Sequence, residues 1–240
     1  MDFSFWKEYF ISNSSHFGNI DWSQPDHLSQ KEIALISRSL QKFQKGEQSE
    51  GKHLFSFAKK FSEPGYLETM RLFILEEQTH AAVLGKFMDS KGIPRIKHHW
   101  VDSVFRKMRK VADLENSIIV LVTAEIIAKI YYKALRNATN SHLLKDLCNQ
   151  ILSDEFKHVQ FQSCTLGFFY SQKSESRILV SRNWRLLLMI STICMVWVHH
   201  GAVLKAGSYP FRVFFMETML AFLETDRQVT PGKSLRLLLG

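Results

Sequence analysis

The chain has 240 residues, 45% of them hydrophobic, enough to bury one sizeable core and too apolar for a disordered segment or a small disulfide scaffold. Its 31 Lys and Arg against 23 Asp and Glu leave a net charge of +8, which admits an acidic protein partner, an anionic membrane surface or nucleic acid without choosing among them. The three cysteines, Cys148, Cys164 and Cys194, form no CxxC and are odd in number, which excludes a disulfide framework or a cysteine metal site and suits a reducing cytoplasm.

The opening MDFSFWKEYFI carries Asp2 and lacks a basic start and a small-residue cleavage site, so it reads as a short amphipathic helix in an N-terminal segment, 1–28, and not as a signal peptide. Glycine and proline are sparse, at 11 and 5, and apolar residues recur at intervals of three and four, which predicts an all-α chain. A first long helix opens on the capping box Ser29 to Glu32 and carries Ile33, Ile36, Leu40, Phe43, Leu54, Phe57 and Phe61 on one stripe, up to Ser-Glu-Pro-Gly at 62–65. A second spans 66–91 and stops at Gly92-Ile93-Pro94. After a connector of 21 residues, a third spans 113–138, and an Asn-Ala-Thr-Asn turn leads to a fourth over 141–171. Two more stretches, 176–205 and 211–225, form a C-terminal helical extension, 172–240, that packs on the bundle. Within it, residues 186–204 are the one membrane candidate, but Ser191, Thr192, His199, His200 and Gly201 interrupt the apolar run, so contact with a membrane is the less favoured reading.

Short turns make helices one and two, and three and four, two antiparallel hairpins. A 26-residue helix spans about 39 Å and a half-helical connector of this length reaches roughly 50 Å, so the chain can return along the bundle. The expected fold is therefore a four-helix bundle over 29–171 with one long crossover, the ferritin-like topology.

Helix two holds Glu76-Glu77-Gln78-Thr79-His80 and helix four holds Asp154-Glu155-Phe156-Lys157-His158, so each has an acid followed by Glu-x-x-His, with ligand spacing on one helix face. Chance predicts about 0.6 such matches in a chain of this composition, and a third, Glu50 to His53, is present, so position decides. Both main motifs fall inside apolar stripes, where ionised carboxylates are costly unless paired or metal-bound. An offset of 78 residues superposes the two motifs and also places Glu47 on Glu125. Four glutamates and two neutral histidines at one level offer four negative charges to two divalent cations, and oxygen with imidazole favours iron or manganese.

The order Glu, Glu-x-x-His, Glu, Glu-x-x-His resembles the ferritin-like di-iron carboxylate superfamily, which includes rubrerythrins, acyl-carrier-protein desaturases and aldehyde-deformylating oxygenases. Gly46-Glu47-Gln48-Ser49 resembles the first-helix ligand region of rubrerythrins, and the paired motifs resemble those of desaturases. The resemblance implies two Fe ions, or a mixed Mn/Fe pair, bridged by Glu77 and Glu155, with Glu47 and Glu125 as terminal carboxylates and His80 and His158 on one metal each. Glu76 and Asp154 would accept the free imidazole N–H of the histidine on the opposite helix. Glu50, His53 and Tyr132 are further candidates near the site. Tyr131 and Tyr132 equally fit core packing, and His199 and His200 are read as structural.

The function this implies is a non-haem di-iron oxidoreductase acting with O₂ or peroxide on a small or lipid-like substrate, for which small residues such as Gly51 and Gly85 would leave room. Without a cysteine centre, electrons would come from an external donor, a ferredoxin or a reductase. The connector at 91–111 holds seven Lys or Arg against Asp102 alone, net +6, with Trp100, Val104, Phe105, Met108 and Val111 as an apolar side, and is the expected docking surface for an acidic partner. Nucleic acid is the weakest partner, because no separate binding module is visible. The C-terminal helices are candidates for capping the site, for forming a homodimer or for touching lipid. Ferroxidase or iron-storage activity and a metal-free helical interaction module are the competing readings.

Overall fold

The computed structural model describes residues 3–48, 51–96 and 113–230. They form α1 (Ser4–Asn13), a 3-10 turn (His16–Asn19), α2 (Gln30–Glu47), α3 (Lys52–Ala58), α4 (Tyr66–Ser90), α5 (Leu114–Ala138), α6 (His142–Ser171), α7 (Glu175–Ala206) and α8 (Phe211–Val229). No strand occurs among the described residues, and the all-α bundle expected from periodicity is what forms.

The helix starts are where side-chain oxygens can satisfy free backbone N–H groups. Ser29 and Glu32 make the full capping box of α2, Asp113 accepts from Asn116 N at the start of α5, and Ser141 accepts from Leu144 N at the start of α6. The loop before α2 is tied to the far hairpin. Asp26 takes Lys91 Nζ at 2.7 Å and Ser141 Oγ at 2.8 Å, while Glu32 takes Asn140 N at 2.7 Å. Lys91 and Arg95 are the two of the connector's seven cations that lie among the described residues. They are paired with Asp26 and Asp89, so neither is a free charge for an acidic partner. The rest of that proposed docking surface, from Lys97 on and including Trp100, Val104, Phe105, Met108 and Val111, lies outside the described residues.

The first long helix differs from expectation. It breaks after Glu47, with Gln48 already out of helical geometry and Gly51 in a left-handed conformation, φ +61°, at the start of α3. An L side chain is strained at that φ, and a Cβ there would meet Ile74 Cγ2 at 2.6 Å, so glycine both stops the helix and lets α4 come close. The space above Gly51 is thus filled by Ile74, and that above Gly85 by the Arg95 guanidinium, which corrects the expectation that these glycines leave substrate room.

The central element is α5. Ile118, Ile119, Val120, Leu121 and Val122 are all buried in succession, the pattern of a helix covered on every side. It packs on α6, α7 and α8, while α4 packs on α1, α2, α3 and α6. The C-terminal helices therefore sheathe the outer face of α5, through Met189, Ile193, Val196, Leu204, Phe214 and Phe222. They meet α5 closely at Gly207, whose absent Cβ would sit 2.0 Å from Ala134 O. Arg185 of α7 and Asp226 of α8, each 1% exposed, form a buried ion pair at 3.1 Å, with Arg182 Nε on the other Asp226 oxygen at 2.9 Å. Among the described residues α7 alone is long and apolar enough to cross a membrane, and 39% of its most apolar window is buried. The N-terminal segment lies on the bundle as well. Phe3, Trp6 and Phe10 of α1 and its N-terminal flank enter the cluster formed with Tyr66, Phe73 and Phe161.

Candidate metal centre

Four elements bring the acidic residues to one level: the C-terminus of α2 and the middles of α4, α5 and α6. One ligand-type atom from each of Glu77, His80, Glu155 and His158 lies within 4.8 Å of all the others. Glu77 Oε1 is 3.5 Å from His80 Nδ1 and 2.9 Å from His158 Nδ1. Glu155 reaches both histidines too, Oε1 at 3.6 Å from His80 Nδ1 and Oε2 at 3.7 Å from His158 Nδ1. Glu125 Oε2 lies 3.8 Å from His158 Nδ1. Glu47 completes the set beside Glu77 and Glu125, with Tyr132 Oη donating to its Oε1 at 2.8 Å.

The histidine orientation follows from two crossed hydrogen bonds. His80 Nε2 of α4 donates to Asp154 Oδ2 of α6 at 3.0 Å, and His158 Nε2 of α6 donates to Glu76 Oε2 of α4 at 2.7 Å. These are the opposite-helix pairs expected from the acid that precedes each motif. With the proton on Nε2, both Nδ1 atoms face the interior, where each can offer a lone pair to a cation once it carries no proton of its own. Both are buried and make no hydrogen bond, and the same holds for both Glu155 oxygens and for Glu77 Oε1. Buried polar atoms are almost always satisfied, so five unsatisfied donor atoms of ligand type converging on one spot define a site short of positive charge.

The titration behaviour expresses that shortage. Burial, then the nearby Glu77 and Glu125 charges, holds Glu47 well above the usual carboxylate range. Its place at the C-terminal end of α2, where the helix dipole is negative, adds to the cost of ionising it. Burial, then Glu125, does the same to Glu155. For Glu125 burial is outweighed by Glu155, His158 and His80, and its carboxyl is lowered. At His158 burial is outweighed by Glu125, Glu155, Glu76 and Glu77, and the imidazole is raised well above its ordinary value. Protons thus take the places that cations would hold. Phe10, Phe73 and Phe17 wall the two imidazoles, with ring centroids 6.0 and 4.8 Å from His158 and 5.8 Å from His80, and so cover their flanks with apolar surface.

Of the further candidates, Tyr132 is at the site through Glu47. His53 is exposed on α3 and joins no cluster, and Glu50 lies outside the described residues. Exposure removes His53 because Leu54 and Ala58 are the residues by which α3 faces the core. His200 is structural, its Nδ1 2.8 Å from Ser39 Oγ, which also meets Tyr131 Oη at 3.0 Å. Two residues escape a reading of motifs altogether. Asn13 Nδ2 donates to Glu76 Oε1 at 2.6 Å and to Asp154 Oδ1 at 2.9 Å, and His16 Nε2 lies 2.9 Å from Asp154 Oδ2. Asn-Ser-Ser-His at 13–16 is ordinary turn composition, and no spacing relates it to residues 60 or 140 positions away.

No known protein-family model and no curated protein matches this chain. The molecule is defined by what it contains: an all-helical bundle with a buried histidine–carboxylate cluster able to hold a metal ion.

Proposed function

We propose that the cluster is a dinuclear metal centre and that the protein is a non-haem di-iron oxidoreductase. The observation that carries this reading is the pair of buried Nδ1 atoms facing two carboxylates that each reach both rings, Glu77 through one oxygen and Glu155 through one oxygen to each ring. Glu77 and Glu155, placed between the two histidines, would bridge. His80 and His158 would bind one metal each, and Glu47 and Glu125 would complete the set. A ferritin-like arrangement of a glutamate from each of two helices and Glu-x-x-His from each of the other two has this donor composition. Oxygen and imidazole donors suit iron, or manganese with iron.

Two ferrous ions bound there would supply the electrons to reduce dioxygen or peroxide. The chain's own part is positional. Glu76 and Asp154 hold the proton on each Nε2 and so keep each Nδ1 free. Tyr132 holds a proton on Oη against Glu47, and Phe10, Phe17 and Phe73 exclude water. The three cysteines are free, with Cys148 buried and Cys194 exposed, so a partner protein would return the electrons. The substrate class is a small or lipid-like molecule.

Anaerobic Fe(II) titration of the wild type, Glu77→Ala and Glu155→Ala, followed by exposure to O₂, tests the reading. Two equivalents per chain and an optical change on oxygenation are expected for the wild type, with both lost or halved in the variants. Unchanged iron binding in both variants rejects the assigned centre, and a large hollow oligomer filled with iron would instead indicate storage.

A further inference from the structure

The two crossed histidine–carboxylate pairs are separate units, one on each side of the centre, and a third group joins them. Each acceptor carboxylate divides its oxygens. Glu76 gives Oε2 to His158 and Oε1 to Asn13, while Asp154 gives Oδ2 to His80 and Oδ1 to Asn13. A primary amide carries two N–H donors and one carbonyl oxygen, so only with Nδ2 toward the two carboxylates does Asn13 avoid an oxygen–oxygen repulsion on both sides. The support is unequal. Asp154 also takes His16 Nε2 at 2.9 Å and Gln150 Nε2 at 3.4 Å, whereas Glu76, among the described residues, takes Asn13 and His158. Asn13 is the last residue of α1, and Phe10, one turn earlier, rests on His158 and Phe161, so the amide is delivered by a packed element.

We propose that Asn13 is a positioning residue whose single amide bridges Glu76 and Asp154 and thereby sets the orientation of both His80 and His158, while the His16 ring touches the His80 half at Asp154 and otherwise meets the backbone carbonyl of Asn13, not its amide. The inference rests on the dinuclear reading of the centre and adds to it that the N-terminal helix is part of the metal-binding apparatus. Both metal positions are then coupled through one side chain outside the four ligand-bearing helices.

Co(II) is the probe, titrated into the full chain and followed by visible absorption, with bound metal counted by equilibrium dialysis. Asn13→Leu keeps the approximate shape and removes both donors. It should weaken both binding steps, by about 10- to 100-fold, the usual effect of removing a group that orients a ligand. His16→Leu should weaken one step and leave the other at its wild-type value. A second readout needs no metal: the imidazole Nε2–H resonances of the apo-protein should shift or exchange faster for both buried histidines in Asn13→Leu and for one in His16→Leu. Far-ultraviolet circular dichroism and thermal melts of each apo-variant report folding. Wild-type affinities at both steps in a folded Asn13→Leu, with unmoved imidazole resonances, would overturn the proposal, and so would equal loss at both steps in His16→Leu. If the wild type binds fewer than two Co(II), the dinuclear reading fails, and the imidazole resonances decide the positioning role on their own.

Discussion

Replacing Glu155 by Leu separates a metal site from a structural ion-pair network, because the two predict opposite signs of stability change. In the metal-free protein Glu155 is fully buried, neither carboxyl oxygen makes a hydrogen bond, and burial holds the group well above the usual carboxylate range. Leaving such a group unsatisfied costs about 1–3 kcal/mol, and Leu is of similar length and favourably buried there. Glu155→Leu should therefore stabilise the apo-protein by about that amount, a rise in melting midpoint of about 2–12 °C for a domain of this size. If Glu155 were instead the stabilising partner of His158, its removal would leave a buried charge uncompensated and cost about 3–5 kcal/mol. Differential scanning calorimetry of chelator-treated wild type and variant gives the sign. The complementary arm adds metal: at 100-fold excess over the dissociation constant, each site raises wild-type stability by about 2.7 kcal/mol, and the variant should show little of this gain. A clear fall in the apo-variant's midpoint, or a full metal-induced rise in it, would refute the reasoning.

Three other substitutions, with one exposed control, probe how the bundle is held. Asp226→Ala leaves Arg185, 1% exposed, without its carboxylate, and should cost about 3–5 kcal/mol in urea denaturation, whereas exposed Glu68→Ala should stay within about 0.5 kcal/mol. Gly207→Ala places a methyl against Ala134 O, a backbone atom that cannot rotate away, and should cost about 1–3 kcal/mol with loss of melting cooperativity; an unchanged midpoint would show that α7 and α8 can shift freely on α5. Asp26→Asn removes the charge that Lys91, Ser141 Oγ and Leu143 N share, for about 2 kcal/mol at pH 7. At Asp26 the cost of burial is outweighed by Lys91 and Ser141, so its folded carboxyl lies below its unfolded value. The stability it adds is then present above the unfolded value and lost as pH falls through the folded one. The difference between wild type and Asp26→Asn in urea midpoint should accordingly shrink below about pH 4, and a difference that is constant from pH 7 to pH 3 would contradict the assignment.

The residues of the candidate site show where sequence is sufficient. Helix periodicity, capping and ligand spacing are local properties of the chain. Glu77 and His80, or Glu155 and His158, share a face because three residues make nearly one turn, whatever the helix packs against. Their place within apolar stripes made burial of the acids legible too, and the 78-residue offset paired Glu47 with Glu125. The break after Glu47 was not legible. The seven apolar residues from Ile33 to Phe61 keep helical spacing across it, and the reason for glycine at 51 is Ile74, a neighbour from another helix.

By itself, then, the sequence determined an all-α chain, the helix starts at Ser29, Asp113 and Ser141, and the two Glu-x-x-His motifs with their acidic forerunners. Tertiary structure alone decided that the N-terminal segment supplies Asn13 and His16 behind the histidines, that the C-terminal helices sheathe α5, and that Lys91 and Arg95 are paired. These contacts join positions with no periodic relation, such as Asn13 and Asp154, 141 residues apart. Hydrogen-bond direction and charge pairing at such separations depend on how whole helices are placed, and helix placement is set by the packing of many side chains together.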